Sequence, residues 1–128
     1  MNQTIIILQA RAGSSRLPGK VLLPLQGLSL LCHCIRRLKK ISSAVPVIVA
    51  TSRMERDSPV VELAKRENIR VYRGSEGDVL DRYYSTAGQY GAKYIIRATG
   101  DNPFTDVIEG KRLLDEMQTG NWDYASMV

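Results

Sequence analysis

Residues 8 to 20 read LQARAGSSRLPGK. The stretch holds three cations (Arg11, Arg16, Lys20), Gly13 and Gly19, Ser14 and Ser15, Pro18 and no acid. Gly13, Ser14 and Ser15 can turn successive backbone N–H groups toward one anion, and the cations add fixed positive charge around it. That is chemistry for phosphate. Spacing excludes two common phosphate loops. A Walker A loop has four residues between its first glycine and the Gly-Lys pair, followed by Ser or Thr. Here five residues separate Gly13 from Gly19-Lys20, and Val21 follows. The dinucleotide pattern GxGxxG is absent from the loop as well. Gly19 and Lys20 close the loop together, which directs Lys20 at phosphate, whereas Arg16 stays open between a phosphate contact and a surface arginine.

Three further segments carry polar residues with possible chemistry. In ATGDNPFTD (98–106), Asp101 follows Gly100. A carboxylate beside a triphosphate suits Mg²⁺, a hard cation that takes oxygen ligands, although DNP also opens a turn. In RGSEGDVLDR (73–82), Ser75, Asp78 and Arg82 combine donors and acceptors on a short loop. Such a set could read the polar edge of a ligand held beside the loop. Equally, Asp78 could cap a helix and Arg82 pair with it at i, i+4. Ser52 and Arg53, after VIVAT, are further candidates for the same pocket. Cys32-His33-Cys34 does not read as a metal site, because adjacent helical positions do not face one point. Cys34 instead joins Leu31, Ile35 and Leu38 at helical spacing as core, and the two cysteines read as reduced thiols.

Chain organisation explains how these segments could meet. The 128 residues, 44% hydrophobic and 24% charged, fit one globular domain over 1–128. Apolar runs TIIILQA, VPVIVATS, IRVYRG and AKYIIRATG read as strands. Amphipathic segments after each read as helices: LSLLCHCIRRLKKI with Ser29 at its N-cap, DSPVVELAKREN capped by Asp57 or Ser58, DVLDRYYSTAGQYG opened by Asp78, and DVIEGKRLLDEMQTG capped by Asp106. WDYASMV reads as the start of a fifth strand. Continuous apolar strands alternating with helices predict a mostly parallel sheet with helices on both faces, a three-layer α/β/α arrangement with right-handed crossovers. Ligands of such sheets bind beyond the carboxyl ends of the strands, where all four polar segments fall.

Charge is divided along the chain. Seven cations and no acid precede residue 41, whereas residues 71 to 128 hold nine acids and six cations. This suits a triphosphate held by one half and a metal by the other. Cations from Arg36 to Lys40 also suit the end of a helix. The loop lacks the interleaved aromatics of a single-strand nucleic-acid binder, and Phe104 is the only phenylalanine. No apolar run reaches the ~18 residues of a membrane span, and the start lacks the marks of a signal peptide. The expected location is the cytoplasm, without a nucleic-acid or membrane partner.

QARAGSSRLPGK after the first strand resembles the signature of the cytidylyltransferases that make CMP-activated sugars. The similarity is greatest to the branch described as spore-coat polysaccharide biosynthesis proteins of the SpsF type. ATS, VYRGSEGDVLDRY and IIRATGDNPFTD recur in that branch's order. The resemblance implies a Rossmann-like nucleotidyltransferase fold, similar to GT-A. It also implies CMP transfer from CTP to a sugar or sugar acid, with pyrophosphate release and Mg²⁺. It places Arg11 and Lys20 on the outer phosphates, Asp101 on the metal, and the nucleotide along Gln9, Ala10, Ala12, Gly13, Ser14, Ser15 and Arg16. Ser52, Ser75, Asp78, Arg82, Thr99 and Gly100 complete that expected contact set. Family members continue past the equivalent of Val128, so a C-terminal part with further strands, a second metal carboxylate and dimer contacts is expected to be missing, and a homodimer is among the implied states. Two other readings stand beside this one. The chain could be a catalytically idle nucleotide-binding module, or a GT-A-like glycosyltransferase, although GDN lacks the second aspartate of a DxD motif.

Overall fold

The computed structural model describes residues 4–12, 20–25, 27–75, 77–99 and 107–119. Strand β1 (Thr4–Gln9) is followed by a 3₁₀ turn at Lys20–Leu22 and a small antiparallel hairpin, β2 (Pro24–Leu25) and β3 (Leu28–Ser29). Helix α1 (Leu30–Lys39), strand β4 (Val47–Ser52), helix α2 (Ser58–Arg66), strand β5 (Arg70–Gly74), helix α3 (Val79–Gln89), strand β6 (Tyr94–Thr99) and helix α4 (Val107–Thr119) complete the order. The expected strand in WDYASMV and the expected cap at Asp106 lie outside the described residues. The hairpin was not expected, since two-residue strands leave no periodic pattern to read.

The main sheet has four parallel strands in the order β5-β4-β1-β6. Winding runs from β1 through β4 to β5, then crosses back over β1 to β6. Side-chain alternation along β1 builds a core on each face. Ile6 and Leu8 pack with Leu31, Cys34, Ile35 and Leu38 of α1, Val60 and Ala64 of α2, and Leu114 of α4. Ile5 and Ile7 pack on the opposite face with Ile48, Ala50 and Tyr83 of α3. The helix of the returning crossover thus lies opposite the others, and the three-layer α/β/α architecture is as the apolar pattern implied.

Local chemistry sets the helix ends. Ser29 Oγ accepts from Cys32 N–H at 3.1 Å, and Asp78 Oδ1 accepts from Asp81 N–H at 2.9 Å, so both expected caps form. Helix α2 ends at Asn68, whose φ of 59° lets Ile69 N–H reach Ala64 C=O at 3.1 Å. Gly91, with φ 63°, closes α3 in the same way, through Ala92 N–H to Ala87 C=O at 2.9 Å.

Candidate nucleotide site at the strand ends

Reversal of the winding occurs between β1 and β6, the position where parallel α/β sheets hold ligands. Gln9, the last residue of β1, pairs with Ala50 of β4 on one side and with Thr99, the last residue of β6, on the other. Ser52 and Gly74, the last residues of β4 and β5, are also paired. Four strand ends therefore share one edge. Ala10 N–H extends the ladder to Ala50 C=O at 3.1 Å, so the chain leaves the sheet at Arg11 and Ala12.

Asp57 organises that exit. Asp57 occupies the N-cap position of α2, but its carboxylate makes no capping bond. It is completely buried and accepts from Ala12 N–H at 2.6 Å through Oδ1. Through Oδ2 it accepts from the hydroxyl of Ser52, whose Oγ in turn accepts from Met54 N–H at 3.1 Å. The capping role expected of Asp57 is thus corrected: the segment between β4 and α2 folds as a 3₁₀ turn at Glu55–Asp57, which aims the side chain across the strand end. A ligand contact by Ser52 was expected, and its hydroxyl is here committed to Asp57.

The neighbouring strand end is braced by arginines. Arg73 donates to Ser52 C=O at 2.8 Å and to Met54 C=O at 2.7 Å, while Arg53 N–H donates to Gly74 C=O at 3.2 Å. Arg82, in the first turn of α3, is completely buried and donates through NH1 to Ser75 C=O. Burial lowers its pKa from the ordinary arginine value, and the nearby charge of Arg11 lowers it further. Asp57 and Asp78 act on it in the opposite direction. Arg11 from the β1 exit and Arg82 from α3 are therefore within electrostatic reach of one another. Exposed Asp78 serves its helix cap, and its own N–H donates to Ser75 Oγ at 3.2 Å.

Of the sequence-derived candidates, Gln9, Ala10, Arg11, Ala12, Ser52, Ser75, Asp78 and Arg82 gather around this edge. The backbones of Lys20 and Thr99 are described, but their side chains lie outside the described set. Gly13, Ser14, Ser15, Arg16, Gly100 and Asp101 lie outside the described residues. Sequence reasoning missed Arg73 and the true partners of Asp57. An acid five residues past a strand end, in TSRMERD, was the available signal. Cys32 and Cys34 both face the interior. Burial raises the pKa of the Cys32 thiol, and Glu67 adds to the rise. Among the described residues no three His, Cys, Asp or Glu side chains form a metal-binding group. No described helix is long and apolar enough to cross a membrane. A cavity of about 480 Å³ lies between α1, α2 and the hairpin, where Leu28, Cys32, Arg36 and Leu63 contribute to its lining.

Comparison with known proteins agrees with this architecture. The sequence model of a family described as cytidylyltransferase matches residues 5–127. The chain is 39% identical over 130 residues to the spore coat polysaccharide biosynthesis protein SpsF of Bacillus subtilis, covering 98% of this chain and 52% of that one. An uncharacterised protein of Methanocaldococcus jannaschii is 42% identical over 120 residues, covering 94% of this chain and 49% of the relative. Among solved structures, a cytidylyltransferase from Leptospira borgpetersenii superposes with a TM-score of 0.88 at 34% identity, over 94% of this chain and 51% of that one. A CMP:2-keto-3-deoxy-manno-octonic acid synthetase complexed with CTP superposes with a TM-score of 0.79 at 28% identity, over 91% and 48% of the two chains. The chain spans about half the length of these relatives. A parallel sheet wound outward from β1, the loop that leaves it, and a family match over nearly the whole sequence together establish that this chain belongs to the cytidylyltransferase family.

Proposed function

We propose that this chain binds CTP at the carboxyl edge of its sheet, as part of an enzyme that transfers CMP to a sugar or sugar acid for cell-surface polysaccharide synthesis in the cytoplasm. The observation that carries this reading is the family match over residues 5–127 on a sheet whose four strand ends share one edge at the β1–β6 switch. Arg11 leaves the sheet there, within electrostatic reach of Arg82, and Gly13-Ser14-Ser15 follows Ala12 directly in the sequence. Transfer at phosphorus depends on positioning and charge neutralisation more than on covalent help. In this reading Arg11 and Lys20 hold the β- and γ-phosphates, and the Ser75–Arg82 segment faces the base.

Mg²⁺ fits the donor chemistry at this edge. Asp57 is already engaged by Ala12 and Ser52, and the family resemblance assigns Asp101 as the hard oxygen ligand. Asp101 stands two residues past Thr99 in the sequence. One carboxylate plus phosphate oxygens and waters is ordinary Mg²⁺ coordination. The ion, when bound, would neutralise charge on the phosphates.

Thermal shift with CTP, UTP, ATP and CMP, each with and without Mg²⁺, tests the proposal. CTP at about 100 times its dissociation constant should add roughly 2.7 kcal/mol, a rise on the order of 10 °C. UTP should do less, because a site built for an amino group leaves buried polar groups unpaired against a carbonyl. Lys20→Ala should weaken CTP far more than CMP, and Asp101→Asn should remove the Mg²⁺ dependence. Equal shifts from all the triphosphates would refute cytosine recognition.

A further inference from the structure

The carboxylate of Asp57 joins two segments that are 45 residues apart in sequence. It is fully buried, at the start of α2, with one oxygen on Ala12 N–H at 2.6 Å and the other on the Ser52 hydroxyl. Ser52 is itself completely buried and tied to Met54 N–H. Backbone N–H groups near the β1 exit are the groups a phosphate loop would present to its anion, and Ala12 is the last of them before the Gly13-Ser14-Ser15 run. Both oxygens of Asp57 already accept hydrogen bonds from the protein. Asp57 therefore acts from behind. By occupying Ala12 N–H it holds the chain where β1 leaves the sheet, and its charge also acts on Arg82.

We propose that Asp57 is a positioning residue for the triphosphate, a clamp that holds the root of the β1 loop against the end of β4. This rests on the CTP-binding reading above. The hydrogen bond is charge-assisted and partly buried, and its loss leaves Ala12 N–H without that acceptor. Asp57→Ala is therefore expected to weaken CTP and inorganic triphosphate by about tenfold or more. Asp57→Asn keeps an oxygen for Ala12 and offers its NH₂ to Ser52 Oγ, so it should stay within about threefold of the native chain. Ser52→Ala removes one support and keeps the Ala12 bond, which places it between the two.

The test combines titration calorimetry of CTP and inorganic triphosphate with amide hydrogen exchange at Ala12, on native chain and all three variants. Support is loss of Ala12 protection in Asp57→Ala, weaker binding of both ligands, and rescue of both readouts by Asn. If Asp57 acted only through its charge, removing an acid beside an anion site would tighten binding in both Asp57 variants. If it were merely structural, melting temperatures would fall while affinities stayed the same. Either result overturns the proposal, as does unchanged Ala12 protection in Asp57→Ala. Should the alanine variant fail to fold, Ser52→Ala against Asp57→Asn keeps the same discrimination, and the proposal falls if the asparagine variant binds less tightly than Ser52→Ala. Native chain that binds neither ligand overturns the CTP reading and this role for Asp57. Ala12 exchange then separately reports whether the carboxylate holds the loop.

Discussion

Gly74 ends β5 with its Cα facing the stem of Arg82, and a single methyl group there should be felt. A Cβ built on Gly74 would lie 2.9 Å from Cε1 of Tyr72 and 3.3 Å from Cγ of Arg82. Both distances fall short of the roughly 3.5–4.0 Å at which carbon atoms attract. Arg82 is completely buried and tied to Ser75 C=O, so it has little room to retreat. Overpacking of this kind costs about 1–3 kcal/mol. Removing a glycine from a strand returns about 0.5–1 kcal/mol of chain entropy. Gly74→Ala is therefore expected to destabilise by about 1–2 kcal/mol, a fall in Tm of roughly 3–8 °C. Gly88 is the control. It lies inside α3, and a Cβ there would meet nothing within 4 Å. Gly88→Ala should stabilise by up to about 1 kcal/mol through helix propensity alone. Differential scanning calorimetry of the two variants at the same pH gives the comparison. If Gly74→Ala rises in Tm as Gly88→Ala does, Arg82 does not lie across that strand end, and its place in the candidate site is wrong. Because the methyl group presses on Arg82, Gly74→Ala should also weaken CTP relative to Gly88→Ala.

Gly91→Ala should cost about 1 kcal/mol, since its φ of 63° is left-handed and an L side chain is strained there; a melting curve matching the native chain would show that α3 is not closed this way. Glu67 accepts from Arg36 at 2.9 and 3.3 Å, and that hydrogen bond, ahead of the partly opposing effect of burial, holds its carboxyl below the ordinary value of 4.5. A carboxyl depressed on folding stabilises above its unfolded pKa and loses that contribution as pH falls through its folded one. The melting difference between native chain and Glu67→Gln should therefore be present at neutral pH and vanish in strong acid, and a difference independent of pH would contradict the pairing.

The strands and helices were legible because their causes are local. Thr4–Gln9 and Val47–Ser52 are continuous apolar runs, as strands buried on both faces require. Ser29 and Asp78 cap their helices with bonds to residues three positions away, so their roles could be read from a few neighbours. The expectation of phosphate chemistry at residues 8–20 rests likewise on residue types in one short stretch. Tertiary structure alone decided three things. Strand order put Gln9 beside Thr99, residues 90 positions apart whose pairing no periodicity encodes. It buried Arg82 and set its guanidinium against Ser75 C=O, seven residues back along the chain. It also turned Asp57 away from its own helix to Ala12 and Ser52, because only the folded sheet brings the exit of β1 beside the end of β4. A carboxylate bonds to whichever donor lies within about 3 Å, and for Asp57 that donor comes from another strand.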